Sequence, residues 1–171
     1  MAYVRTRMAS PVGELTLVAS DAGLAAVLWE NDAPGRVRLG AAVDDGEHPI
    51  LRATERQLGE YFAGERRRFD LPLDFRGTPF QQAVWRALTE IPFGETRSYG
   101  ALAASLGSPG ASRAVGAANG RNPISIVAPC HRVIGAAGQL TGFAGGLKAK
   151  AMLLALEQAG GRQADLFAPA A

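Results

Sequence analysis

Three short apolar runs, Tyr3–Met8, Glu14–Ala19 and Leu24–Leu28, open the chain, separated by the turn-forming segments Ser10-Pro11-Val12-Gly13 and Asp21-Ala22-Gly23. Runs of this length at this spacing predict an antiparallel meander. Residues 31–47, with Pro34, Gly35, Gly40, Asp44 and Asp45, predict a loop. From Pro49 to Phe62 the apolar positions Leu51, Leu58, Tyr61 and Phe62 recur at helical spacing, and Gly64 ends the run. Gly64–Arg68 reads as a solvated basic turn. Phe69, Leu71, Leu73 and Phe75 then alternate with polar residues or proline, which predicts a half-buried strand.

The pattern changes after residue 75. Thr78 at an N-cap, Pro79 at the first helical position and Gln81 completing a capping box predict a helix with Phe80, Val84, Trp85 and Leu88 on one face. It stops near Pro92 and Gly94. Ser98 caps a second helix through Leu106, closed by Gly107. The turn Ser108-Pro109-Gly110 leads to a short helix from about Ala111 to Asn119, so the arrangement reads as helix-turn-helix. A last helix from Gly146 to about Ala159 puts Met152, Leu153, Leu156 and Ala159 on its apolar face, with Lys148, Lys150 and Glu157 projecting elsewhere.

Composition adds class and compartment. The 171 residues are 47% hydrophobic and 20% charged, enough chain to bury a core in one domain or two small ones without metals or disulfides. A single cysteine allows no internal disulfide and favours a reducing compartment, so a cytoplasmic protein is expected. No apolar run has the length of a signal peptide or a membrane span. The charge is divided unevenly. Residues 1–75 carry nine arginines and twelve carboxylates, net −3, whereas residues 76–171 carry nine basic and four acidic residues, net +5. That asymmetry favours a polyanionic partner for the second half.

The only cysteine lies in Pro129-Cys130-His131-Arg132-Val133, after the apolar run Ile124–Ala128. A lone cysteine in such a run is usually an inert small hydrophobe. Here His131 and Arg132 follow it directly, and a nucleophilic thiol needs a nearby base or positive charge. The other histidine, His48, reads as a surface residue beside Pro49. One cysteine and two histidines offer no zinc-ligand spacing, and Gly142-Phe143-Ala144-Gly145-Gly146 lacks the context of a phosphate cradle.

From about Gly77 to Glu157 the chain resembles the O6-alkylguanine-DNA alkyltransferases, also called methylated-DNA–protein-cysteine methyltransferases. The resemblance rests on Phe80-Gln81-Gln82-Ala83-Val84-Trp85, Ile91-Pro92-Phe93-Gly94-Glu95-Thr96, Ser98-Tyr99, Ser112-Arg113-Ala114-Val115-Gly116, Asn122-Pro123 and Ile126–Ile134 around the cysteine. The N-terminal half matches more loosely, through its strand pattern and Tyr61-Phe62-Ala63-Gly64. The resemblance implies an α+β fold: an N-terminal ribonuclease-H-like domain over residues 1–75, then a mostly helical winged helix-turn-helix domain over residues 76–171.

It also implies an activity: irreversible transfer of the alkyl group from O6-alkylguanine, and from O4-methylthymine, in DNA to the protein's own cysteine, once per molecule. Cys130 would accept the alkyl group. His131 would act as its base through a water, Glu157 would orient the imidazole, and Asn122 would support the turn that holds the cysteine. Tyr99 would donate to the departing guanine. Arg113 would enter the stack vacated by the rotated nucleotide, while Ala114, Gly116 and Ala117, with Ser98 and Tyr99, meet the minor groove. Val133, Phe143 and Ala144 would line the base pocket, chiefly through backbone groups. The expected partner is double-stranded DNA carrying O6-alkylguanine, bound by a monomer, with no membrane, cofactor or metal. Phe143 departs from the tyrosine that many members carry, so one hydroxyl is absent from the pocket wall. The zinc ligands of some animal members have no counterpart.

Three other readings compete. A winged-helix regulator would leave Cys130 structural, which the Cys-His-Glu set argues against. A branch that binds alkylated DNA without repairing it lacks the acceptor cysteine, usually replaced by tryptophan, and Cys130 is present. A papain-type hydrolase needs distant partners that the short stretch after Cys130 cannot supply.

Overall fold

The computed structural model describes residues 2–140 and 142–167, with side chains through residue 160. Four strands form the first unit: β1 (Tyr3–Met8), β2 (Leu15–Ala19), β3 (Leu24–Leu28) and β4 (Ala42–Asp44). The meander β1-β2-β3 is antiparallel, as its turns dictate, and the sheet order is β3-β2-β1-β4. Strand β4 corrects the expected loop. It pairs in parallel with β1 through Val4↔Val43, yet its own side chains are largely exposed. A strand that buries no face leaves no alternation to read.

Helix α1 (Pro49–Phe62) lies over this sheet and buries Leu51, Thr54, Gln57, Leu58 and Tyr61. His48 caps it, Nδ1 accepting from Ile50 N at 3.3 Å, so this histidine has a local structural task. The alternating segment 69–75 forms no continuous strand. It touches β3 at the single bridge Leu24↔Leu73, where Leu24 N donates to Pro72 O and Asp74 N donates to Leu24 O, both at 2.8 Å. Pro72 has no N–H with which to extend a ladder. Gly23 permits this approach, since a β-carbon there would stand 2.6 Å from the Pro72 carbonyl oxygen.

The second unit begins with α2 (Pro79–Leu88), whose Thr78/Gln81 capping box forms as expected. Its buried face is Val84, Trp85 and Leu88, while Phe80 is exposed. Strand β5 (Arg97–Ser98) leads into α3 (Tyr99–Ser105), and the turn after it into α4 (Ser112–Gly120). Trp85 Nε1 donates to Ala118 O at 2.8 Å and fixes α4 against α2. A 3-10 turn, Cys130–Arg132, runs into β6 (Val133–Ile134), which pairs in parallel with β5. Helix α5 (Leu147–Phe167) closes the fold. It corrects the expected apolar face: Lys150, Leu153 and Glu157 point inward, whereas Met152 and Ala159 are exposed.

One hydrophobic core runs through both units, from Leu15, Leu17 and Trp29 to Trp85, Ile124, Val133 and Leu153. Strand β3 also joins the units through its backbone, Val27 N donating to Pro123 O at 2.9 Å. The cysteine-bearing segment therefore hangs on the outer edge of the N-terminal sheet.

Candidate active site

The approach to Cys130 is made of two tight backbone turns. Val127 N donates to Ser125 O at 2.8 Å around Ile126, which sits at φ 72°. A β-branched residue is a genuine outlier there, and such turns are strained. A second tight turn follows at Pro129 (φ −80°, ψ 69°), where Cys130 N donates to Ala128 O at 2.8 Å. Asn122 holds the whole segment. Its Nδ2 donates to Ala128 O at 2.8 Å and its Oδ1 accepts from Ile124 N at 3.1 Å. From outside, Arg36 donates to Asn122 O at 2.8 Å and is itself held by Asp32.

Cys130 is buried at the end of this path. Burial pushes its thiol above the ordinary value, although hydrogen bonds from Asn122 and Ser125 and the charges of Arg36 and Lys150 act in the opposite direction. The resting side chain is therefore a thiol near neutral pH, and forming the nucleophile requires a base.

His131 follows in the same turn and is fully buried. Its Nε2 lies 2.7 Å from Glu157 Oε2. Burial pulls the imidazole below its ordinary value, outweighing the carboxylate that favours protonation, so the ring is neutral near pH 7. A neutral imidazole facing a carboxylate carries its proton on that side, leaving Nδ1 as the acceptor. Among the described residues, nothing hydrogen-bonds His131 Nδ1.

Glu157 is the hub of a buried network. Its carboxylate accepts from Tyr61 Oη at 2.6 Å, Arg132 Nε at 2.8 Å and Arg132 Nη2 at 3.0 Å, besides His131. Burial alone would raise its pKa, but hydrogen bonds from His131 and Arg132 and the guanidinium charge bring it down to about 2. Arg132 also donates to Ile91 O at 2.6 Å and lies over the Phe93 ring. Arg67 covers the same ring and donates to Gly160 O at 2.9 Å, while the turn Gly64–Arg68 stays largely exposed, as expected.

The other expected site residues lie on β5, α3, α4, β6 and the segment before α5. The register Arg97↔Val133 and Ser98↔Ile134 sets Tyr99, the first residue of α3, beside the strand that leaves the cysteine turn. Ser98 is the N-cap of α3, its Oγ accepting from Ala101 N at 3.0 Å. The Tyr99 ring flanks Gly116 of α4. On α4, Val115, Ala118 and Asn119 face inward while Arg113, Ala114 and Ala117 are exposed. One helix thus offers a small-residue outer face with an arginine and, inside, Asn119 Nδ2 donating to Cys130 O at 3.4 Å. Phe143 stands edge-on to Trp29 with ring centroids 5.3 Å apart, and Ala144 is half-buried beside it. Lys150 Nζ donates to Val133 O at 2.7 Å and lies over the Phe143 ring.

Nothing in the sequence marks a role for Tyr61, Ser125, Asn119 or Lys150. Tyr61 and Ser125 sit among apolar residues and read as core, and Lys150 read as solvated. Only the Tyr61-Phe62-Ala63-Gly64 match pointed toward one of them.

Fold and site together define a two-unit α+β protein in which a buried cysteine, followed by a histidine–carboxylate pair, lies on a 3-10 turn after a helix-turn-helix. Residues 3–75 match the model of the 6-O-methylguanine DNA methyltransferase ribonuclease-like domain, and residues 79–159 match that of the family's DNA-binding domain. The chain is 54% identical over 149 residues to a methylated-DNA–protein-cysteine methyltransferase of Mycolicibacterium paratuberculosis, covering 87% of this chain and 88% of that one. It is 50% identical over 160 residues to the one from Mycobacterium bovis, covering 92% and 93%. The crystal structure of Mycobacterium tuberculosis OGT in complex with DNA superposes with a TM-score of 0.83 at 47% identity, over 94% of each chain. The chain belongs to the 6-O-methylguanine DNA methyltransferase family. Among the described residues, no helix is long and apolar enough to cross a membrane.

Proposed function

We infer that this protein repairs DNA by moving the alkyl group of O6-alkylguanine onto Cys130, once per molecule. The observation that carries this reading is the buried Cys130 turn with His131 held by Glu157 at 2.7 Å. His131 Nδ1, through a bridging water, takes the thiol proton. The thiolate then attacks the alkyl carbon, a carbon–sulfur bond forms, and the carbon–O6 bond breaks with its electron pair left on guanine. Tyr99 donates to the departing base as that charge develops. Backbone groups of Cys130, Val133 and Ala144 read the base edge, with Phe143 as an apolar wall. The thioether is a poor leaving group, so the methyl stays. O4-methylthymine is a second substrate of the same chemistry.

The exposed face of α4 supports a minor-groove reading by a monomer. Ala114, Gly116 and Ala117 permit close approach, and Arg113 enters the stack as the nucleotide rotates out. Residues 1–75 act as the ribonuclease-H-like support and residues 76–171 as the DNA-binding and acceptor domain; the last four positions of that range lie outside the described residues. A DNA substrate and an acceptor that must stay a reduced thiol fit a cytoplasmic location.

Replacing the acceptor tests the reading. Cys130→Ser should bind O6-methylguanine duplex as the wild type does and transfer nothing, because a hydroxyl forms almost no anion near neutral pH. Continued transfer by this variant contradicts the assignment.

A further inference from the structure

We propose that Tyr61 is a positioning residue for alkyl transfer: its phenol, reaching from α1 of the N-terminal unit, anchors Glu157 Oε2 so that His131 keeps Nε2 as the donor and Nδ1 as the proton acceptor. The proposal deepens the reading of Cys130 and His131 given above and rests on it.

The geometry singles this tyrosine out. Its Oη lies 2.6 Å from Glu157 Oε2, the same oxygen that His131 Nε2 approaches at 2.7 Å and Arg132 Nη2 at 3.0 Å. The ring cannot drift. It is buried and packed against Phe62, Phe69 and Phe93, with centroids 5.3, 5.5 and 6.2 Å away. A carboxylate turns about its last bond unless donors arrive from several directions. Here they come from α1 through Tyr61 and from the 3-10 turn through His131 and Arg132, with Gly94 N from the loop after α2 at 3.5 Å. Burial and the adjacent carboxylate keep the phenol protonated, so Tyr61 acts as a donor throughout.

The phenol also governs how basic His131 is. The charged and titratable groups around the imidazole are Glu157 and Lys150 from α5, Arg132 and Cys130 from the 3-10 turn, and Tyr61 behind Glu157 from α1. Arg132 and Lys150 disfavour the imidazolium, and Glu157 favours it. A phenol bonded to Glu157 draws off part of the negative charge that would stabilise the imidazolium. Removing it leaves more of that charge for His131 while loosening the carboxylate. Phenylalanine would preserve the apolar packing and remove only these two effects.

The test uses the full chain with Tyr61→Phe, following single-turnover reaction with free O6-benzylguanine across the acid and neutral pH range. The acid limb of the rate profile should move to higher pH, and the plateau rate should fall roughly tenfold, as for loss of an outer-shell partner. Nitrogen-15 NMR of His131 in the wild type should show the Nε2–H tautomer, a readout that does not depend on the variant folding. A profile superimposable on that of the wild type, or an Nδ1–H tautomer, overturns the proposal. Absence of any transfer by the wild type would instead sink the reading of Cys130 on which it rests.

Discussion

Trp29 Nε1 donates to Ser125 Oγ across 3.1 Å, tying the residue after β3 to the segment that leads into Cys130. The serine hydroxyl, already accepting from the indole, is free to donate to the thiolate. Gly145 fits beneath the same indole, where a β-carbon would stand 2.7 Å from the ring. Ser125→Ala should leave the buried indole N–H without a partner, lowering stability by ~1–3 kcal/mol. It should also slow transfer near neutral pH. Melting and single-turnover kinetics on one preparation check both; an unchanged rate would show that the hydroxyl gives the thiolate nothing.

Acid should weaken the fold in two stages. Burial depresses the folded-state pKa of His131, so on acidification the unfolded chain takes up that proton first, and stability begins to fall below the ordinary histidine value near 6.5. Glu157, held at about 2 against an ordinary 4.5, contributes stability that is present above 4.5 and lost as pH falls toward 2. Urea midpoints across the acid range measure this. Glu157→Gln should remove the second stage and leave buried Arg132 without its counter-charge, a loss of ~3–5 kcal/mol.

Asn122 carries the acceptor segment on two buried hydrogen bonds, to Ala128 O and from Ile124 N. Truncating it strands Ile124 N, at a cost of ~1–3 kcal/mol, and leaves Ala128 O with Cys130 N alone. Asn122→Ala should therefore melt several degrees lower and react far more slowly, even below its melting range. Normal reactivity of the folded variant would mean that the two turns hold themselves.

Arg113 is exposed at the start of α4, and the role proposed for it concerns duplex DNA. Arg113→Ala should slow repair of a duplex much more than reaction with free O6-benzylguanine, which needs no base rotation. Equal losses on both substrates would contradict that role. Binding to duplex should weaken steeply with salt, as expected where arginines and lysines neutralise phosphates.

The helices around the site were legible because their ends are written in residue types: Thr78 with Gln81, Ser98 before Tyr99, and Gly107 after Leu106. The proposed acceptor stands out through Cys130-His131 and the motifs around it. What the pattern concealed was polar burial. Lys150 and Glu157 read as solvated by hydropathy, yet both face inward because carbonyl, imidazole, guanidinium and phenol partners satisfy them. Tyr61 gave an ordinary core signal, since nothing local marks a phenol whose partner lies 96 residues away. Strand β4 was invisible for the opposite reason: its pairing is made by backbone while its side chains stay in water.

Stoichiometric transfer to one thiol is the activity inferred for Cys130. Intact-mass analysis after incubation with excess O6-methylguanine duplex measures it directly, with peptide mapping to locate the adduct. One added methyl group per molecule, on Cys130, is expected, with a lower melting temperature for the product, because a methyl forced into a packed site costs ~1–3 kcal/mol. An unmodified protein, a methyl on any other residue, or several guanines repaired per molecule would contradict it.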